Sequence, residues 1–299
     1  PPWLACRRVD RHGHKHLGPH RRMTHRVWGI DFSGAAHPGE RLALAEATVT
    51  DAVVTIDAVD AVARRCGTDA TREAAITGLV DLAAELRPAH VGIDAALSLP
   101  QTATHALGVD QWHALPEAVR LRCQDVPALT ALVIDAAPPV GPRYPRRVTD
   151  VRASALPPVH FMIAAQTHAA LTELLPRWQR VGAVAPHRDG RPRLREVYPA
   201  AALDLWGLVA TGYKGPDPTH RDRRVAILDA LTGTGVVTMT ASVRDAMLDQ
   251  PGGDLLDAAI AAVVTGLTAP APPPGPAIEG AISGADPTDY PPGCALLSP

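Results

Sequence analysis

A chain of 299 residues, 46% hydrophobic and 20% charged, can bury one large core or two modest ones. A formal net charge of -2 argues against a protein held to nucleic acid by bulk positive charge, leaving only local basic patches for that purpose. Cys6, Cys66, Cys123 and Cys294 form no Cys-x-x-Cys pair, which excludes a zinc knuckle or a dithiol redox motif, and no apolar run is long enough to cross a bilayer. With no signal-peptide pattern at the start, the expected location is the cytoplasm.

Residues 1–22 carry His12, His14, His16 and His20 among arginines without a periodic apolar pattern, and are expected to be a disordered extension rather than a metal-binding tail. The folded domain is then expected over 23–268. Residues 27–35, Val-Trp-Gly-Ile-Asp-Phe-Ser-Gly-Ala, read as a buried strand that runs into Asp31 and a small-residue exit. Residues 41–49 and 52–59 read as second and third strands, with a tight hairpin at Thr50 and Asp51. Ile76, Leu79, Val80, Ala83 and Leu86 then recur at helical spacing up to Pro88. Residues 90–94, His-Val-Gly-Ile-Asp, repeat the first device and end on Asp94. A helical crossover places this strand parallel to the first, with right-handed connection. Both acids would then meet the crevice beyond the carboxyl ends of the strands. If the two strands are neighbours, they lie about 4.8 Å apart.

Residues 101–158 read as an insertion near that rim, with Trp112, Leu115, Val119 and Leu121 on one helix and breaks at Pro138-Pro139 and Gly141-Pro142. Arg143, Arg146, Arg147 and Arg152 are candidates for contacts to substrate phosphate, or a solvated basic loop. A helix is expected over 160–175, from His160 through Phe161 to Leu175, stopped by Pro176. Residues 194–199 read as a strand presenting Glu196, followed by a helix over 200–208. Thr219 with Asp222 and Ser242 with Asp245 look like cap pairs opening further helices. The last helix, 254–267, is apolar on nearly every side and carries Asp254 and Asp257 one turn apart. Asp254 can serve as a cap, whereas Asp257 in the body of a buried helix costs several kcal/mol unless it is paired or binds a metal. The Pro-rich residues 269–299 are expected to be a disordered tail.

Gly-Ile-Asp-Phe-Ser-Gly-Ala, Gly-Ile-Asp-Ala-Ala-Leu-Ser-Leu-Pro, Arg-Glu-Val-Tyr-Pro-Ala-Ala-Ala-Leu and Asp-Leu-Leu-Asp-Ala-Ala-Ile-Ala-Ala, in that order, resemble the family called domain of unknown function 429. That family is classed as predicted nucleases of the RNase H-like fold. The resemblance implies an α/β, RuvC-like mixed five-stranded sheet with the first three strands antiparallel, the fourth and fifth parallel to the first, and helices on both faces. It also implies that Asp31, Asp94, Asp254 and Asp257 form an acidic centre similar to that of RuvC-type resolvases, with Glu196 in a less settled role.

Phosphodiester hydrolysis needs an activated water and charge stabilisation on both the attacking and leaving oxygens, which two magnesium or manganese ions about 3.5 to 4 Å apart can supply. Hard oxygen ligands suit those ions. The expectation is therefore a metal-dependent hydrolase of nucleic acid or another phosphoester, with Asp31, Asp94, Asp254 and Asp257 as ligands and Glu196 in support. An actin-like phosphotransferase, with the exit after Asp31 cradling a phosphate, and a non-catalytic binding protein on the same fold are the alternatives. A serine hydrolase is disfavoured, since no Gly-x-Ser-x-Gly elbow is present.

Overall fold

The computed structural model describes residues 24–180 and 194–268. The extension expected over 1–22 and the tail over 269–299 lie outside the described residues. Strand β1 (Thr24–Asp31) pairs antiparallel with β2 (Ala43–Thr50), which pairs antiparallel with β3 (Val53–Ala61). The turn between β2 and β3 puts both Asp51 (φ 50°) and Ala52 (φ 65°) in the left-handed region. That is the geometry whose twist matches a two-residue hairpin, held here without a glycine. Helix α1 (Val62–Cys66) and helix α2 (Arg72–Leu86) follow, the latter capped by the Thr71 hydroxyl, which accepts from the Ala74 amide.

Strand β4 (His90–Asp94) then lies parallel to β1 and directly beside it, with Asp31 opposite Asp94. Residues 101–158 hold α3 (Gln101–Ala106), α4 (Leu115–Arg122), α5 (Val126–Asp135) and α6 (Val148–Arg152). These place Leu115, Val119, Leu129 and Val133 in the same core as Trp28 and Ile30. Leu115, Val119 and Leu121 share α4 as expected, with Trp112 in the turn before it, and Leu121 is 62% exposed.

The helix expected over 160–175 begins later and ends later. It comprises α7 (Ala164–Ala169), a π turn over Ala170–Leu174, and α8 (Leu175–Arg180), so Pro176 does not stop it. A proline cannot donate to the carbonyl four residues back and its ring crowds that carbonyl; a wide π turn just upstream opens the ladder where the conflict falls. Strand β5 (Leu194–Glu196) adds parallel to β4. Beyond it come α9 (Pro199–Leu205), α10 (Pro218–Gly233), β6 (Val237–Met239), α11 (Ala241–Asp249) and α12 (Asp254–Thr268). The caps of α10 and α11 are Asp217 and Thr240, each two residues before the expected Thr219 and Ser242. Pro218 at the first position of α10 fixes that start, because its missing N–H is one the helix would leave unpaired in any case.

The sheet order is β5-β4-β1-β2-β3-β6, a mixed sheet of six strands rather than five. The first three strands are antiparallel, and β4 and β5 run parallel to β1, as expected. The extra strand, β6, pairs parallel with β3 through three residues only, too short to show periodicity in the sequence.

Helices cover both faces. Trp28, Ile30, Leu44 and Ile93 meet one core with α2, α4 and α8, while Val27, Ala43, Ala45 and Ala47 meet the other, where α12 lies. The approach of α12 is set by Gly29 and Gly92, which are register partners on β1 and β4. A Cβ on Gly29 would sit 2.0 Å from the Ala258 carbonyl oxygen, and one on Gly92 would sit 2.0 Å from Thr265 Oγ1. Only a side chain of hydrogen lets the helix rest on the strands at this distance.

Candidate functional site

Side chains alternate between faces along a strand, so Asp31 shares the face of Gly29 and Asp94 that of Gly92. Asp257 immediately precedes Ala258, the residue seated on Gly29. The glycine pair therefore brings the first turn of α12 over the ends of β1 and β4. Asp31 is 8% exposed and Asp257 only 2%. Burial, then repulsion from Asp257 and Asp94, holds the Asp31 carboxyl well above the usual carboxylate range. Burial followed by Asp257 pushes Asp94 up to about 8. Among the described residues, neither the Asp31 nor the Asp94 carboxylate accepts a hydrogen bond, and both line a cleft of about 490 Å³.

Asp257 is placed differently. Lys214 Nζ lies 2.5 Å from its Oδ2, and the Tyr213 hydroxyl donates to its Oδ1 at 2.7 Å. Burial raises the Asp257 carboxyl, against the opposing pull of Lys214 and Tyr213. For Lys214, burial acts to lower the ammonium, but Asp257, Asp31 and Asp94 outweigh it and hold the group firmly protonated. Lys214 is half-exposed and lines the cleft with Asp254. Asp254 accepts from Gln250 Nε2 at 2.8 Å, and Gln250 also takes the Leu255 amide, so the glutamine rather than Asp254 caps the start of α12.

The opposite wall is tied down from the other face of the sheet. Gln166 Nε2 donates to the carbonyl oxygens of both Phe32 and Asp94 at 2.6 Å, bridging the exits of β1 and β4. Gly34 packs against α7 so closely that a Cβ would lie 2.2 Å from the Gln166 nitrogen, and its carbonyl accepts from Arg72 at 2.6 Å.

A family model described as "Protein of unknown function (DUF429)" matches residues 29–270. The chain belongs to the DUF429 family. No curated protein and no solved structure matches it. The span matched to DUF429 runs from Gly29 past α12 and so takes in Asp31, Asp94, Glu196, Asp254 and Asp257 alike.

In this DUF429 chain Glu196 is occupied by a buried guanidinium. Arg147 Nη2 and Nη1 donate to its two carboxylate oxygens at 2.5 and 2.7 Å, and the Leu97 amide adds a third bond at 3.0 Å. The same Arg147, 7% exposed, grips Asp150 at 2.6 Å and Ser98 Oγ at 3.0 Å. It is a clamp joining α6 to the end of β5, although it reaches the cleft wall. Of the other arginines considered for phosphate, Arg143 and Arg146 are exposed and Arg152 is half-buried in α6.

The DUF429 centre gathers the acids without presenting all of them to an ion. Among the described residues, no three His, Cys, Asp or Glu are grouped so as to hold a metal ion between them. Both oxygens of Asp257 are engaged by Lys214 and Tyr213, and Asp254 is turned to Gln250. What fits a divalent cation is the Asp31–Asp94 pair: adjacent in register, Asp31 buried and Asp94 half-buried, neither carboxylate hydrogen-bonded among the described residues, with access to the cleft. Magnesium is commonly held by one or two carboxylates, with water and substrate phosphate completing its shell. Lys214 and Tyr213 were not foreseen from sequence. The available signal was that Lys15 and Lys214 are the only lysines in an arginine-rich chain.

Proposed function

We propose that this DUF429 protein is a metal-dependent phosphoesterase of RNase H-like architecture, cleaving a phosphodiester or related phosphoester in the cleft at the ends of β1 and β4. The observation that carries the reading is the pairing in register of Asp31 and Asp94, one carboxylate buried and the other half-buried, neither with a hydrogen-bond partner among the described residues. Burial makes two like charges at this spacing unfavourable, and a divalent cation or a proton must offset them. Magnesium or manganese, when bound, supplies Lewis-acid stabilisation of a phosphoryl oxygen and a water acidic enough to attack near neutral pH. Asp31 and Asp94 would hold the ion and leave its cleft side open to substrate. Lys214 adds a fixed positive charge at the same edge, aimed by Asp257, which Tyr213 holds in place. Glu196 supports the rim through Arg147 rather than by meeting the ion.

The sequence has no second Gly-rich phosphate loop to accompany the exit after Asp31, which favours hydrolysis over the actin-like phosphotransferase. Acids at a cleft without a hydrogen-bond partner among the described residues likewise weigh against a purely structural role. The test is calorimetric titration with manganese together with hydrolysis of an aryl phosphodiester. Wild-type protein should bind the ion and release the aryl alcohol only in its presence, and Asp31→Asn should lose both. Equal manganese binding by the two proteins would remove the proposal.

A further inference from the structure

The chain contains two phenylalanines. Phe32 is buried at 1% exposure, but Phe161 is 75% exposed and leads directly into Met162 and Ile163 on the cleft wall. Met162 is itself 69% exposed. Single exposed apolar side chains are ordinary on protein surfaces. This one belongs to an ordered row of planar groups. The Phe161 ring lies 4.4 Å from the His160 ring, tilted by 36°, and His160 meets Tyr144 edge-on at 5.3 Å. The Arg143 guanidinium lies 5.3 Å over Tyr144. The row thus runs from an exposed cation to an exposed aromatic face, beside the cleft that holds Asp31 and Asp94. Arg146 is exposed in the same loop, and Arg41 is exposed on the cleft wall.

We infer that this row is a stacking platform for an unpaired nucleobase, so that the substrate class is single-stranded nucleic acid; the inference rests on the phosphoesterase reading for the fate of the bound strand, not for its binding. The cleft floor is lined by carboxyl groups that offer a polyanion little attraction, so the binding free energy of a strand must come from its bases and from cations at the margin. Aromatic faces accept any base, and Arg143, Arg146 and Arg41 supply charge for the phosphates on either side. A duplex keeps its base faces covered in its own stack, whereas a single strand can turn one out onto Phe161. The arrangement also reconciles nucleic-acid binding with the net charge of -2, because the positive groups are local.

The experiment is fluorescence anisotropy with labelled single-stranded oligonucleotides, the corresponding duplex and an abasic strand of equal length, all in EDTA at low salt so that nothing is cleaved. Wild-type protein should prefer the single strand to both the duplex and the abasic strand. Phe161→Ala should weaken single-strand binding by about 5- to 100-fold, the range expected for losing one stacked base, and Phe161→Trp should retain it. Phe161 is exposed, so neither variant threatens the fold, and circular dichroism checks this. Equal affinity in Phe161→Ala, preference for duplex, equal affinity for the abasic strand, or absence of oligonucleotide binding would each overturn the inference. Binding to phosphatidylglycerol vesicles without oligonucleotide binding overturns it in favour of a lipid surface. If manganese binding fails while Phe161-dependent strand binding holds, the catalytic reading alone is lost.

Discussion

Replacing Lys214 by methionine keeps the length and apolar stem of the side chain and removes its charge. Asp257 then keeps the Tyr213 hydroxyl but loses the ammonium 2.5 Å from its other oxygen. Removing one member of a fully buried ion pair costs about 3 to 5 kcal/mol. Lys214 is half-exposed and partly screened by water, so roughly 2 kcal/mol is the appropriate figure. For a chain of this length that corresponds to a fall in Tm of roughly 3 to 4 °C. Thermal unfolding followed by circular dichroism, in EDTA at a series of pH values from 5 to 8, reads the effect. The gap between wild type and Lys214→Met should be widest at pH 8 and shrink on acidification, because a protonated Asp257 no longer needs the ammonium. A gap that is absent throughout, or that widens toward pH 5, would refute the assignment of Lys214 as the counter-charge of this centre.

The paired acids give a second pH effect of their own. In the unfolded chain Asp31 and Asp94 ionise near pH 4, whereas the folded protein holds both protons to higher pH, Asp94 to about 8. The folded state therefore binds more protons across that interval, and stability in EDTA should fall as pH rises through it. Asp94→Asn should show a shallower fall in urea titrations, and a steeper one would count against the argument. Gly29→Ala sets a Cβ 2.0 Å from a backbone oxygen and should abolish accumulation of folded protein, whereas Gly233→Ala, with open space around it at the end of α10, should leave Tm unchanged or slightly raised. Arg147→Met strands Asp150 and Glu196 together and should cost about 3 to 5 kcal/mol in urea unfolding; lysine at the same position should recover little, since it cannot fork between two carboxylates.

Much of the sheet was legible because its strands are long and apolar and end on unambiguous breaks. The repeat of Gly-Ile-Asp located β1 and β4, and the crossover rule made them parallel. The role of the glycines was not legible, since close approach of a helix is a property of the partner and leaves no periodicity in the strand. Strand β6 escaped for want of length, and the caps of α10 and α11 because several polar residues in succession satisfy the same pattern. Within the site, acids could be found by their place after buried strands. Tyr213 and Lys214 lie in a loop, where spacing says nothing about which way a side chain faces. Arg147 drew attention as one of several exposed-looking arginines, but its burial between Asp150 and Glu196 depends on contacts 49 residues apart in the chain.

The bridging amide of Gln166 means that the spacing of the two strand exits is not left to the sheet alone. One side chain from the far layer grips a carbonyl on each, so a shift or rotation of α7 would move Phe32 and Asp94 together. Because α7 flows through the π turn into α8, whatever touches that longer rod acquires a mechanical route to the Asp31–Asp94 pair. A molecule seated against the rod could open or narrow the gap between the carboxylates without ever entering the cleft.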